Sequence, residues 1–150
     1  MVMRDIRVGK VRKNFYITLS VLIAVLALTY IFTRPLKVVR VIDGDLLVLN
    51  NGKKVRLIGV DASKQAKSFV ENLVEGKEIE LKYDRQRIDS KGHIRAYVYL
   101  LDGIFLNAEV IKEGYAYVNR EFTFQYFEQF RQYEQEAKEN KKGMWADLYR

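Results

Sequence analysis

VVRVIDGDLLVLNNGKKVRLIGVDASK, residues 38–64, is the stretch that decides the fold. Its valines and isoleucines are β-branched and favour a pleated, half-buried ribbon. Two carboxylates, Asp43 and Asp45, stand in the first turn, and Asp61 follows the last strand. Asn51-Gly52 lies between two apolar runs and predicts a type I′ hairpin turn, in which both central residues have positive φ. The stretch therefore predicts three strands joined in sequence as a meander.

The acidic residues of this meander are expected to meet at one end of the sheet. Asp45 starts one predicted strand and Asp61 ends another, while Arg56 stands on the strand that leads to Asp61. Two acids and an arginine at a sheet end are able to hold a metal ion and a phosphate. The plainer interpretation is that Asp43 and Asp45 shape a turn, since Asp-Gly is common turn chemistry, and that Arg56 is a surface residue.

Residues after Asp61 supply the remaining elements of the fold. Apolar positions recur at helical spacing in some segments and alternate in others. Asn107 is expected to cap a short helix that Gly114 closes. Five strands and three helices, connected by hairpins, fit an α+β domain built on a five-stranded oligonucleotide-binding (OB) barrel. Besides the short helix, the sequence predicts helices over 66–74 and about 124–142, strands over 77–83 and 94–101, and a short extended segment at 104–106.

The formal net charge of +7 belongs mostly to the N-terminal segment. Of the 26 basic and 19 acidic residues, residues 1–36 contain six basic and one acidic, so the remainder has 20 and 18 and a charge of only +2. This balance gives the globular part no net-charge signature of nucleic-acid binding. Cysteine is absent, which excludes disulfides, thiolate metal sites and cysteine nucleophiles.

An uncharged, mostly apolar run of 18 residues, 15–32, follows a basic N-terminus. As a helix it would span ~27 Å at 1.5 Å per residue, about the thickness of a hydrocarbon core. Because lysine and arginine are more frequent before the run than after it, the positive-inside rule keeps the N-terminus cytoplasmic. We therefore expect a basic cytoplasmic segment at 1–14, a single transmembrane helix at 15–33, and a domain at 36–150 on the extracytoplasmic side.

Two alternatives to a membrane anchor stay open for this run. A cleaved signal peptide has the same orientation, and Val25-Leu26-Ala27 is a tolerable cleavage pattern, although the apolar run continues beyond it. A buried core helix is disfavoured because the run is apolar all round and has no polar face. Pro35 then bars any continuation of the helix.

The segment IDGDLLVL…GKKVRLIGVDA resembles the first signature of the staphylococcal nuclease (thermonuclease) family. The resemblance continues through residues 83–118 and ends near KKGMW at 141–145, so it covers roughly residues 36–145. It implies the same five-stranded OB barrel, with nucleic acid as the substrate. In that family two aspartates and a backbone carbonyl bind Ca²⁺, two arginines contact the scissile phosphate, and a glutamate positions or activates the attacking water.

By this resemblance the residues of the candidate site can be assigned position by position. The metal aspartates match Asp45 and Asp61, and the carbonyl belongs to Ala62. The first arginine matches Arg56, and Asp43 fits the Asp-Gly-Asp pattern. Because protein ligands are few, water and phosphate must complete the coordination of Ca²⁺, and we expect weak binding.

Two positions depart from the family pattern. The glutamate position is Lys64, a cation that cannot accept a proton from water, and loss of a positioned general base typically costs ~10²–10⁴ in rate. The second arginine position is His93, which lacks the guanidinium fork. Arg95 lies two residues along the same predicted strand and on the same face, so it is a candidate substitute. We therefore expect a weak or inactive nuclease site.

Three classes of function remain at this point. The first is a membrane-anchored, Ca²⁺-dependent phosphodiesterase with weak activity. The second is a non-catalytic OB module that binds nucleic acid or another anionic ligand. The third is a structural or interaction module that is tethered to a membrane. Added Ca²⁺ and a nuclease assay separate the first class from the others, and salt-dependent oligonucleotide binding separates the second from the third.

Overall fold

A computed structural model of the chain describes residues 2–32 and 34–146. The chain divides into two compact units, Met1–Pro35 and Leu36–Arg150. Thr33, where the transmembrane helix is expected to end, and residues 147–150, at the end of the expected domain, lie outside the described residues.

The first unit consists mainly of one helix, α1, which runs from Val2 to Phe32. Within it the 18 residues Lys13–Tyr30 are long and apolar enough to cross a membrane, and none of them is buried. The hydroxyls of Thr18, Ser20 and Thr29 donate hydrogen bonds to backbone carbonyls about one turn earlier in the same helix. These polar side chains therefore need no partner outside the helix. A secretory signal sequence shares this length and composition.

The second unit contains a closed barrel of five strands, as the sequence predicts. The described part of the unit has seven strands: β1 (Leu36–Asp43), β2 (Leu46–Leu49), β3 (Lys54–Leu57), β4 (Val60–Ala62), β5 (Glu78–Lys82), β6 (Ile94–Leu100) and β7 (Ala116–Val118). The barrel order is β1-β2-β3-β6-β5, and β5 pairs with β1 to close it. Strands β3 and β6 pair in parallel, and the other barrel neighbours are antiparallel. Strands β4 and β7 form a separate two-stranded sheet.

In the described part of the second unit three α-helices accompany the barrel, and α1 brings the number in the described chain to four: α2 (Ala66–Val74), α3 (Leu106–Lys112) and α4 (Phe127–Glu139). Helix α4 is shorter at both ends than the predicted segment, and a 3₁₀ turn, Gly143–Trp145, follows it. The barrel interior and the inner helix faces share one hydrophobic core, which includes Tyr97 on β6 and Phe130 on α4.

The segment expected as one strand up to Asp61 is broken at Gly59. Strand β3 ends at Leu57, and Gly59 has a φ of +78°, which residues with a side chain rarely adopt. A Cβ atom at this position would also collide with the ring of Phe124. Strand β4 turns away from the barrel and pairs with β7, where Asp61 lies opposite Tyr117. Asp61 is therefore in a separate small sheet and not at the end of a barrel strand.

The hairpin between β2 and β3 forms, but its turn is not of type I′. Gly52 has a φ of +78°, whereas Asn51 is not among the residues with positive φ. The loop closes over three residues, 50–52, with glycine in the left-handed position. The short segment expected to be extended at 104–106 makes only the isolated bridge Tyr99–Phe105.

Asn107 does not cap α3, because it is the second residue of that helix and is fully buried. Its Oδ1 accepts a hydrogen bond from the amide of Val98, and its Nδ2 donates to the carbonyls of Ile58 and Ala96. One side chain thus satisfies three buried backbone groups and joins α3 to β6 and to the residue that follows β3.

Candidate functional site

The turn between β1 and β2 lies directly against β4 because its central residue is a glycine. A Cβ atom on Gly44 would overlap with the Cβ atoms of Ala62 and Ala66. The absence of that atom lets the aspartates on either side of Gly44 approach the strand that carries Asp61. The structure places Asp45 and Asp61 within electrostatic reach of each other.

Asp45 is buried at the end of this turn, with 8% of its surface exposed. Its Oδ2 accepts a 2.5 Å hydrogen bond from Nη1 of Arg56 on β3. Burial raises the pKa of Asp45, the charge of Arg56 lowers it, and the charges of Asp43 and Asp61 raise it again. The net shift is upward, so ionisation of this carboxyl group is disfavoured, and a bound cation would relieve that cost.

Arg56 is held between two carboxylates. Besides its bond to Asp45, its Nε lies 3.4 Å from Oδ2 of Asp89. Asp89 also accepts hydrogen bonds from the backbone amides of Lys91 and His93. Burial raises the pKa of Asp89, but the hydrogen bonds from His93 and Lys91 lower it and prevail. The ionised Asp89 therefore orients the guanidinium of Arg56, whose side chain remains 32% exposed to receive an anion.

His93 precedes β6, and its Nδ1 lies 2.9 Å from Oδ2 of Asp89. Only 14% of the His93 side chain is exposed, and its surroundings hold the ring in this contact with Asp89. His93 acts on Arg56 through Asp89. The sequence interpretation gave Asp89 no role, although the segment Asp89-Ser90-Lys91-Gly92, an aspartate that begins a turn closed by glycine, is a signal for such a loop.

Lys64 is exposed in the short connection between β4 and α2. Among residues 2–32 and 34–146 it forms no ion pair, in contrast to Lys67, Lys138 and Lys142. Solvent screens its charge, so it repels a cation at Asp61 less than a buried lysine would. The position still supplies no proton acceptor.

Arg95 lies beside Arg56, because β3 and β6 pair in parallel with these two residues in register. It is 8% exposed, and its guanidinium carbon is 3.6 Å from the centre of the Phe122 ring. Its Nη1 donates a 2.8 Å hydrogen bond to Gln86, and no carboxylate pairs with it in the described part of the chain. Arg56, Asp89 and Arg95 line one depression of about 390 Å³. An unpaired guanidinium in such a depression is suited to bind an anion.

The residues at this end of the barrel offer oxygen ligands to a divalent cation. Asp45 and Asp61 contribute carboxylates, Ala62 a carbonyl, and the hydroxyl of the adjacent Ser63 is buried without a hydrogen-bond partner in the structure. Within the described residues, no group of three or more His, Cys, Asp or Glu side chains could hold a metal ion. This donor set fits a weakly held Ca²⁺ whose remaining ligands are water and phosphate.

The chain is similar in sequence to known nucleases. The family model of staphylococcal nuclease homologues matches residues 54–147, a segment that begins after Asp45 and includes Arg56 and Asp61. The thermonuclease of Staphylococcus hyicus is 32% identical over 130 residues, which cover 74% of this chain and 75% of that protein. Endonuclease YncB of Bacillus subtilis (strain 168) is 37% identical over 131 residues, or 71% of this chain and 59% of that protein. An uncharacterized endonuclease of Escherichia coli is 29% identical over 121 residues, covering 74% and 76% of the two chains.

Proposed function

The chain belongs to the staphylococcal nuclease homologue family, and we propose that its domain is a Ca²⁺-dependent phosphodiester hydrolase of nucleic acid with a strongly reduced rate. The observation that carries this proposal is the position of Arg56, held between Asp45 and Asp89 with part of its guanidinium exposed. Asp61 lies on the strand against which the same turn packs. The guanidinium of Arg56 on β3, the carboxylate of Asp45 in the β1–β2 turn and that of Asp61 on β4 suit a phosphate and a divalent metal ion together.

Each residue of the site has a defined role in this proposal. Asp45, Asp61 and the carbonyl of Ala62 would hold the metal ion, and Arg56 would bind the scissile phosphate. When bound, Ca²⁺ would polarise the phosphate and stabilise the charge that develops on its oxygens. Asp89 keeps the guanidinium of Arg56 in place, and a preorganised positive charge needs no reorganisation during the reaction.

Two replacements account for the reduced rate. Lys64 cannot accept a proton at neutral pH, so the attacking water has no positioned base, a loss of ~10²–10⁴ in rate. His93 is engaged with Asp89 and lacks the guanidinium fork. Arg95 compensates in part, because its unpaired guanidinium lines the same depression as Arg56. The two losses are not multiplied, since both groups act on one transition state.

A non-catalytic OB module that binds nucleic acid, another anionic ligand or a protein partner is the second candidate. The observation that favours it is the exposed Lys64 at the position of the base, combined with an intact set of guanidinium groups at Arg56 and Arg95. Such a site would retain phosphate binding and lose hydrolysis.

Helix α1 gives the domain a membrane location in this proposal. The window Lys13–Tyr30 is apolar and unburied, and a cluster of basic residues, Arg4, Arg7, Lys10 and Arg12, precedes it, against Arg34 and Lys37 soon after it. By the positive-inside rule the N-terminus would be cytoplasmic and the domain extracytoplasmic, attached by a single span. Cleavage as a signal peptide would leave the domain on the same side without the anchor.

A nuclease assay on the full-length chain, in non-ionic detergent, tests the proposed chemistry. Labelled single-stranded DNA and RNA are incubated with Ca²⁺ or with EDTA, beside Asp61→Ala and the matched control Asp102→Ala, an exposed turn aspartate outside the site. We expect slow, Ca²⁺-dependent cleavage that is lost in Asp61→Ala and retained in the control. Cleavage that persists in EDTA or in Asp61→Ala would contradict the proposal, and binding without any cleavage would favour the non-catalytic module.

A further inference from the structure

A second depression adjoins the one beside Arg56. The first, of about 390 Å³, and the second, of about 470 Å³, share Ile88 and Lys91 in their walls. Lys53 and Lys54 follow the turn between β2 and β3 and line the second depression. The parallel pairing of β3 with β6 explains the arrangement, because it sets the beginnings of the two strands side by side. Together the two depressions form one continuous surface, which we term the long groove.

The long groove concentrates the positive charge of the domain. Five Lys or Arg side chains and two carboxylates line it, which leaves a formal charge of +3. The domain from residue 36 onward has 20 basic and 18 acidic residues, a charge of +2, so its residues outside the groove sum to a formal charge of −1. The groove cations are Lys53, Lys54, Arg56, Lys91 and Arg95.

Three of these cations, Lys53, Lys54 and Lys91, are exposed and form no ion pair within residues 2–32 and 34–146. Ammonium groups that no carboxylate neutralises are available to phosphates. Arg56 follows Lys53 by three residues, a distance of about 10 Å along an extended chain at 3.3 Å per residue. One strand of a duplex presents a phosphate about every 3.4 Å of helix axis, and an extended single strand spaces its phosphates further apart, so this distance covers at most about three phosphates.

We infer that the ligand of the long groove is a nucleic-acid strand several nucleotides long, with one phosphate at Arg56 and the following phosphates on Lys91, Lys53 and Lys54. The inference rests on the proposed function and specifies its substrate as an oligonucleotide, in preference to a dinucleotide. At the junction of the two depressions Ile88 is 57% exposed and offers an apolar contact to a base or sugar. A concave path that leads into the Arg56 site suits a single strand better than the flat surface of an anionic membrane.

Oligonucleotide length and salt dependence test this inference together. The full-length chain in non-ionic detergent is titrated against labelled oligothymidylates of 2 and about 12 nucleotides, in EDTA to prevent cleavage, and fluorescence anisotropy gives Kd. The groove variant is Lys53→Gln/Lys54→Gln. The matched control is Lys77→Gln/Lys82→Gln, which removes two exposed charges that do not line the groove.

In the groove variant alone, binding of the long oligonucleotide should depend less steeply on salt concentration. At ~0.7 of slope per phosphate contact for a single strand, two lost contacts lower the slope of log K against log salt by ~1.4. The affinity of the wild type should then fall about sevenfold more than that of the variant between 50 and 200 mM salt. Binding of the dinucleotide should not change, and the control should behave as the wild type.

Equal salt slopes for the groove variant and its control would overturn the inference, as would equal losses for the short and the long oligonucleotide. Mixed detergent micelles that contain phosphatidylserine are tested in parallel as competitors of the long oligonucleotide. A groove variant that is no longer competed by phosphatidylserine and keeps its oligonucleotide slope would assign the groove to lipid headgroups and also overturn the inference. The proposed hydrolysis has its own readout in the Asp61-dependent cleavage assay, so the expected slope change without cleavage would support the strand path and count against the hydrolase.

Discussion

Replacement of Arg56 by glutamine is predicted to destabilise the domain, because it leaves the buried carboxylate of Asp45 without its cation. The side chains of Arg56 and Asp45 are 32% and 11% exposed, so this pair lies between an exposed and a buried ion pair. Exposed pairs contribute ~0–1 kcal/mol, and removal of one partner from a buried pair costs ~3–5 kcal/mol. We therefore expect the free energy of unfolding near neutral pH to fall by about 2 kcal/mol.

The size of this loss should depend on pH. Burial raises the pKa of Asp45 and Arg56 opposes that rise, so Arg56→Gln should raise the pKa further. A carboxyl group whose pKa is higher in the folded than in the unfolded state lowers stability as pH rises from the unfolded-state pKa to the folded-state pKa, and protonation at lower pH removes the cost. The deficit of the variant should therefore be larger near pH ~7 than near pH ~5.

Urea unfolding of the full-length chain, followed by tryptophan fluorescence, measures both effects. Trp145 is the single tryptophan, and its buried ring packs at 5.2 Å from that of Tyr117. Asp45→Asn completes a double-mutant cycle: in its background Arg56→Gln no longer strands the charge of Asp45, and Asp89 keeps its hydrogen bonds from Lys91 and His93, so the replacement should cost less than ~1 kcal/mol. A deficit that is the same at both pH values and in both backgrounds would refute the reasoning.

Three further predictions concern the metal ion, the core and α1. Calorimetry should find Ca²⁺ binding no tighter than ~10⁻⁴–10⁻³ M that Asp45→Ala abolishes; micromolar binding unaffected by that substitution would place the site elsewhere. Asn107→Leu should lower the free energy of unfolding by at least ~2 kcal/mol, because the amide of Val98 and the carbonyl of Ile58 lose their partner, while the carbonyl of Ala96 keeps the amide of Ile58; a loss below ~1 kcal/mol in urea would contradict this. Carbonate washing should leave the full chain in the membrane pellet, and recovery in the soluble fraction would contradict the anchor.

The barrel could be predicted from the sequence because its determinants are local. A β-branched run forms β1, an apolar run forms β2, an alternating segment forms β3, and Gly52 closes the hairpin between the last two. The Asp-Gly-Asp turn could be predicted for the same reason, since Asp-Gly is common turn chemistry, whereas the close backbone approach at its glycine could not. In the structure the backbone of Gly44 lies against the Cβ atoms of Ala62 and Ala66.

The features that the sequence interpretation missed depend on contacts between distant segments. Gly59 interrupts the strand because Phe124, far along the chain, fills the space of its absent side chain. Asparagine is a common helix cap, but the side chain of Asn107 forms hydrogen bonds with three buried backbone groups of other elements. Asp89 acquires its role only when the loop before β6 brings it to Arg56. No local pattern encodes these pairings.

Net charge was a poor guide to the surface because a sum hides its distribution. The domain charge of only +2 was interpreted as the absence of a nucleic-acid signature. The parallel pairing of β3 with β6 nevertheless collects Lys53, Lys54 and Lys91 beside Arg56 and Arg95. Parallel neighbours that are far apart in sequence could not be identified from composition.

The most direct test of the central claim, a nuclease site weakened at two positions, is cleavage by Lys64→Glu/His93→Arg. The acid restores a proton acceptor beside the metal site, and the guanidinium restores a bidentate phosphate contact. We predict that Ca²⁺-dependent cleavage of DNA or RNA rises at least ~10²-fold over the unmodified chain, that each single reversion gains little, and that adding Asp61→Ala abolishes the gain. Cleavage by the unmodified chain as fast as by the double variant would contradict the claim.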